Sequence, residues 1–266
     1  MSRPLKVFTL FGTPVRISYT WPIAPVIITI ALGTWVSNRY SPTGEILVPY
    51  TFAAMVALCL AVSVLIHEFA HVLVARRLGI RSTGITLFAL GGVSRLDDDD
   101  HGRPRTDLAV SMAGPITSLI LGLACGAIAL LPDLLNDTSA VEIRYASLEE
   151  WPSMIVGPHL IYRAFEYLAT ANIIIGLFNL LPLFPLDGGR ILSAILWAIT
   201  NNRQQAVGIA ALIGQLGAAA IITYGAYNLF FGELLPGIWL TAIGIFLMEA
   251  AVSASPRNEQ EQPTPG

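Results

Sequence analysis

Two histidines and one glutamate lie within five residues of one another in an otherwise apolar stretch. His67 and His71 are four positions apart, and Glu68 directly follows the first histidine. On a helix, residues i and i+4 share one face, so both imidazoles can bind a single zinc ion with a carboxylate beside it. The spacing therefore predicts a helix that binds one zinc ion per chain.

A catalytic zinc ion usually takes three protein ligands and keeps one position open, so a third ligand is needed. Asp187 is the natural candidate, because it is the only aspartate after residue 137 and it lies in an apolar half of the chain. An unpaired carboxylate in hydrocarbon is costly and requires a partner. The alternative is that Asp187 caps the helix that follows it.

The segment 179–190 contains two prolines and two glycines in apolar surroundings. Such a break in a membrane helix is tolerated where the backbone lines a cavity or is buried in protein. The break therefore indicates a site. Within it, Asn179 either binds the substrate backbone or the tetrahedral intermediate in an oxyanion role, or it satisfies carbonyls freed by Pro182.

The chemistry that these groups predict is peptide hydrolysis. Zinc activates a water molecule and polarises the scissile carbonyl, and Glu68 can accept the proton of that water as general base. The competing interpretation is a set of buried polar residues that join helices by hydrogen bonds.

Composition sets these residues in a membrane. The 266 residues are 54% hydrophobic and 12% charged, against about 25% charged in soluble proteins. The net charge of −3 gives no electrostatic footprint for nucleic acid. Cys59 and Cys125 lie in apolar runs and do not form a disulfide scaffold. The chain is predicted to be an all-α polytopic membrane protein.

The hydropathy pattern predicts about six transmembrane helices within a single domain, residues 1–252. The predicted spans are residues 18–36, 50–75, 108–131, 165–182, 206–231 and 234–252. Two short membrane-associated β-hairpins are predicted, one over 7–19 and one over 85–96, between spans two and three. In span three, Gly122 and Gly126 favour close approach of a neighbouring helix. The run 97–100 is predicted to be a solvated acidic loop tip, and 253–266 a disordered tail.

The basic residues predict the orientation. With six spans, 12 of the 15 lysines and arginines fall on the side of the N-terminus. The positive-inside rule then makes both termini cytoplasmic. Spans two and four run in the same direction in this topology, so the histidine pair and Asp187 are expected at one depth.

Four motifs together resemble the site-2 protease family of intramembrane zinc metalloproteases, which is M50-type, and the similarity covers most of residues 5–200. The motifs are His67-Glu68-x-x-His71, Asn179-x-x-Pro182-x-x-x-x-Asp187-Gly188, Gly91-Gly92-Val93-Ser94-Arg95-Leu96 and Ala113-Gly114-Pro115. The resemblance implies a six-span enzyme with a core of three helices. It also implies that His67, His71 and Asp187 are the zinc ligands and that Glu68 is the catalytic base.

The resemblance further implies substrates: transmembrane segments of other membrane proteins, cut during regulated intramembrane proteolysis in a bacterial or archaeal cell membrane. In bacteria such substrates are often anti-sigma or pro-sigma factors. The sequence departs from common members of the family, because it has no PDZ-sized insertion between spans and no CBS-like pair after span six. Gating by such modules is therefore not expected.

Rival functions make different demands on the sequence. A transporter with a broken helix would repeat the break in its other half as an inverted repeat, and no such repeat is present. A silent scaffold has no use for the full set of zinc ligands and base. A different class of membrane zinc protease would take its third ligand from a glutamate, and the glutamates available lie in loops or at Glu249.

Overall fold

The computed structural model of the protein describes residues 4–40, 46–88, 91–96, 103–135 and 158–255. The predicted acidic run 97–100 and the tail beyond residue 255 lie outside these residues.

Four strands form one sheet in the order β1-β2-β3-β4. The first hairpin joins β1 (Leu5–Leu10) to β2 (Thr13–Ile17) through Phe11 and Gly12, whose φ angles of 44° and 79° are the positive values of a two-residue type I′ turn. The second hairpin joins β3 (Ser82–Phe88) to β4 (Gly91–Leu96). Both predicted hairpins are confirmed.

The two hairpins are not separate, however. Strands β2 and β3 pair in parallel, with Val15 opposite Ile85, and this joins the hairpins into one mixed sheet. The pairing leaves β4 at one edge of the sheet. Contacts of the first turn fix the sheet against a helix, because the Phe11 ring lies 5.7 Å from the Phe69 ring and Arg76 donates to the Phe11 carbonyl.

Eight helices occur in the described residues, and most of them are long and apolar. They are α1 (Ile23–Tyr40), α2 (Leu47–Arg77), α3 (Pro104–Ala129), α4 (Leu131–Leu134), α5 (Pro158–Asn179), α6 (Asp187–Thr200), α7 (Arg203–Phe231) and α8 (Leu234–Ser253).

Four helices, α2, α3, α7 and α8, are long and apolar enough to cross a membrane. They correspond to predicted spans two, three, five and six, so the protein is a multi-pass membrane protein. The predicted first span coincides with α1, whose apolar part is the shorter stretch Ile23–Asn38. The predicted fourth span coincides with α5. The count of six remains a prediction.

The chain divides into two compact units. The first comprises Met1–Arg76, Arg81–Asp97 and Ile116–Gly176, and the second Arg77–Ile80, Asp98–Pro115 and Leu177–Gly266. In the first unit, one core cluster joins α1, α2 and α5 through Val36, Phe52, Val56, Ala164 and Leu168. A second cluster packs Val72 of α2 against Ile85 and Leu87 of β3. The sheet thus packs directly on the helix that carries the histidines.

Within the first unit, α3 and α5 approach closely at a glycine. A Cβ atom at Gly122 would lie 2.7 Å from Ile173 Cγ1 and 3.1 Å from the Ala169 carbonyl oxygen, whereas at Gly126 the nearest atom would be 3.8 Å away. Glycine removes the steric barrier to contact between helices. The predicted packing role therefore belongs mainly to Gly122.

The second unit contains the break between α5 and α6. The chain turns between Asn179 and Asp187, and α6 starts at Asp187 itself. Gly188 and Gly189 are buried, and a Cβ at either would collide with the backbone of residues 180–184. The paired glycines therefore allow α6 to begin against the preceding turn. Phe184 packs with alanines of α7 and α8 in the core of this unit.

Candidate metal centre

The two histidines lie on one face of α2, near its C-terminal end. Their side chains are 4% and 5% exposed, and the Nε2 atoms of His67 and His71 are 3.3 Å apart. Two nitrogens that each bind a tetrahedral zinc ion at about 2.0–2.1 Å are separated by about 3.4 Å. The imidazole pair therefore fits two ligands of one zinc ion.

Asp187 is the third member of the group. One ligand atom each from His67, His71 and Asp187 lies within 4.8 Å of the others, and Asp187 is only partly buried. Two imidazoles and a carboxylate are a donor set that suits zinc. These three residues, all predicted as ligands from the sequence, form a candidate metal site.

His67 has a hydrogen-bond partner that the sequence analysis missed. Its Nδ1 atom lies 2.9 Å from the hydroxyl oxygen of Ser118 on α3, and the Ser118 side chain is only 1% exposed. This contact leaves Nε2 of His67 facing His71. The available signal was a serine in a predicted span, a residue type that can bond either to its own helix backbone or to a neighbouring helix.

Glu68 is buried beside the histidines and is held by β4. Its side chain is 8% exposed, and Ser94 donates a hydrogen bond of 2.7 Å to its Oε2 atom. A Cβ atom at Gly92 would lie 2.5 Å from Glu68 Cγ and 3.1 Å from Oε1. Residues i and i+2 of a strand share a face, so this face of β4 contacts the carboxylate through Gly92 and Ser94.

A buried asparagine joins α5 to α2 one turn from His67. Asn172 is fully buried and donates to the Ser63 hydroxyl at 3.2 Å and to the Leu168 carbonyl at 2.8 Å. Its Oδ1 atom has no hydrogen-bond partner within the described parts of the chain. Asn172, like Ser118 and Ser94, was not identified from the sequence.

Asn179, the predicted oxyanion residue, is the last residue of α5 and is partly buried. Its catalytic role remains a prediction.

A family model of known proteins matches most of this chain. The model described as Peptidase family M50 matches residues 55–223, a segment that contains both histidines, Glu68 and Asp187. The chain belongs to peptidase family M50. The family that the four motifs predicted is thereby confirmed.

Individual relatives support the same assignment. The chain is 35% identical to Rip3 of Mycobacterium tuberculosis over 206 residues. This aligned segment covers 77% of this chain and 47% of that protein. It is 31% identical over 262 residues to sll0528 of Synechocystis, covering 98% of this chain and 62% of that protein. Both relatives carry provisional names as zinc metalloproteases. The chain thus spans about half to three fifths of the length of these relatives.

A solved structure has the same fold. The site-2 protease from Methanocaldococcus jannaschii matches with a TM-score of 0.58 and 25% sequence identity, covering 99% of this chain and 97% of that chain. The helical architecture with its small sheet is therefore that of the site-2 proteases.

Proposed function

We propose that this M50 protein is an intramembrane zinc metalloprotease that hydrolyses peptide bonds in or near transmembrane segments of other membrane proteins. The observation that carries the proposal is the group His67, His71 and Asp187, whose ligand atoms lie within 4.8 Å of one another, with Glu68 next to His67 on the same helix. The provisional names of the two relatives agree with this activity.

In the proposed mechanism, His67, His71 and Asp187 would hold zinc. When bound, zinc supplies activation of a water molecule and polarisation of the scissile carbonyl. Glu68 accepts the proton released by the water and returns it to the leaving amine. Ser94 donates to Oε2 of Glu68, and we assign the proton transfer to the other oxygen, Oε1. Asn179 is proposed to bind the developing oxyanion.

The position of the histidines along α2 supports hydrolysis at membrane depth. His67 and His71 precede Arg77, the last residue of the helix, by ten and six positions. At the helical rise these intervals are about 15 and 9 Å. We therefore propose that the site lies below the cytoplasmic surface, in a six-span topology with both termini cytoplasmic and in a bacterial or archaeal membrane.

The sheet is proposed to receive the substrate. A transmembrane helix hides its amides in its own hydrogen bonds, so the scissile segment must unwind before attack. Strand β4 is at an edge of the sheet and contacts Glu68, so an unwound segment could pair with it by strand addition. By resemblance to the family, a membrane-bound anti-sigma or pro-sigma factor is the proposed partner.

The test combines metal analysis with cleavage by the Glu68→Gln variant. The purified protein, in detergent micelles, is given a reporter whose single transmembrane segment carries a Gly-Pro pair. Loss of the general base is expected to lower cleavage by about 100-fold or more, with one zinc ion per chain retained. Glu249→Gln, an exposed glutamate of α8, is the matched control and should cleave normally. Unchanged cleavage by Glu68→Gln would refute the mechanism.

A further inference from the structure

We propose that Ser118 is a positioning residue that fixes the tautomer and orientation of His67 and so sets the affinity of the site for zinc. The inference rests on the proposed zinc site and concerns a residue of α3 that lies outside the zinc-ligand motifs.

The geometry distinguishes the roles of the two ring nitrogens of His67. A neutral imidazole has one nitrogen that donates and one that accepts. If Nδ1–H of His67 donates to the Ser118 hydroxyl at 2.9 Å, Nε2 carries the lone pair. Nε2 is the atom that lies 3.3 Å from Nε2 of His71. The hydrogen bond to Ser118 therefore orients Nε2 of His67, the proposed zinc ligand, toward Nε2 of His71.

Burial makes this contact consequential. Ser118 and His67 are 1% and 4% exposed, so water cannot readily replace the hydroxyl. A histidine that binds a metal ordinarily donates its second N–H to a carboxylate, a backbone carbonyl or water, and loss of such a partner weakens metal binding about 10- to 100-fold. Here a serine hydroxyl from another helix takes that place.

The surrounding helix contacts hold Ser118 in position. One turn further along α3, Gly122 lies against α5, where a Cβ atom would be 2.7 Å from Ile173 Cγ1. One turn before His67 on α2, Ser63 accepts a hydrogen bond from Asn172 of α5. Helix α5 is therefore tied to both helices that carry the hydrogen-bonded pair, and the pair is held in a rigid setting.

The experiment measures zinc affinity directly and needs no substrate. Purified wild type, Ser118→Ala, Ser118→Thr and Ser253→Ala proteins are stripped of metal in micelles and titrated with zinc against a chromophoric chelator. Ser253 is the matched control, because it lies in α8 and its hydroxyl donates to the Glu249 carbonyl of the same helix. Ser118→Ala is expected to raise the Kd for zinc about 10- to 100-fold, while Ser253→Ala leaves it unchanged.

Two further measurements separate positioning from folding. Loss of one buried hydrogen bond costs about 1–3 kcal/mol, so the Tm of metal-free Ser118→Ala in thermal unfolding should lie only a few degrees below that of wild type. Ser118→Thr keeps that hydroxyl and should bind zinc within a few-fold of wild type.

An unchanged Kd in Ser118→Ala would overturn the inference, as would a large fall in its metal-free Tm, which would assign the serine to folding. If wild type itself fails to bind one zinc ion per chain, the proposed metal site is wrong. That result is distinct from a failure of the role given to Ser118.

Discussion

The hydrogen bond from Ser94 to Glu68 makes a quantitative prediction about turnover. Replacing Ser94 with alanine removes a 2.7 Å hydrogen bond to the carboxylate, and we expect the pairing of β4 with β3 to persist because it uses main-chain groups. A hydrogen bond to a charged group contributes about 1.5–3 kcal/mol. If the bond holds the base in the orientation needed in the transition state, its loss lowers kcat by about 10- to 150-fold.

The variant should change kcat and leave two other quantities alone. The Ser94 side chain contacts Glu68, so the KM for the reporter should stay close to that of wild type. Glu68 is not one of the proposed ligands, so zinc stoichiometry should remain one per chain. Initial rates at several mole fractions of the single-span reporter in mixed micelles give kcat and KM separately.

A matched serine on the neighbouring strand provides the control. The Ser82 hydroxyl of β3 has no hydrogen-bond partner among the residues that the structure describes, so Ser82→Ala should preserve kcat. Ser94→Thr retains the hydroxyl and should recover most of the rate. The reasoning is refuted if Ser94→Ala turns over within twofold of wild type, or if Ser82→Ala lowers kcat by as much.

Two glycine predictions follow from the space around them. Gly92→Ala would put a Cβ atom 2.5 Å from Glu68 Cγ, so cleavage should fall at least about 10-fold with zinc retained, and normal cleavage would contradict the contact. Gly122→Ala would put a Cβ 2.7 Å from Ile173 Cγ1, but Gly126→Ala meets nothing closer than 3.8 Å. Both changes gain the same helix propensity, so the free energy of unfolding of Gly122→Ala should be about 1–3 kcal/mol below that of Gly126→Ala. Equal unfolding midpoints of the two variants in detergent titrations would disprove this.

The candidate ligands could be predicted because the signals for them are short-range residue spacing and the distribution of charge along the chain. Neither signal depends on tertiary contacts. His67 and His71 are related by helical periodicity, which any apolar helix preserves. Asp187 was identified because a carboxylate in an apolar region requires a partner and because the charge bias gave it the same depth as the histidines. Both arguments use sequence positions and the physics of the bilayer, and neither requires knowledge of which helices touch.

The supporting residues could not be assigned in this way. A single serine in an apolar helix, such as Ser118, has the same local pattern whether it bonds to its own backbone or to another helix. Ser94 was recognised as part of a strand, but the side of the strand that faces Glu68 depends on register. The parallel pairing of Val15 with Ile85 joins residues 70 positions apart, and no local pattern indicates it.

The structure explains how two adjacent residues can have separate functions. His67 and Glu68 are consecutive, so their side chains leave α2 about 100° apart. One therefore meets Ser118 of α3 at 2.9 Å and the other meets Ser94 of β4 at 2.7 Å. Helix α3 then governs zinc affinity and strand β4 governs orientation of the base. If β4 also binds the unwound substrate, docking of the substrate and alignment of Glu68 depend on the same strand, and the base would be held most firmly when a peptide is present to be cut.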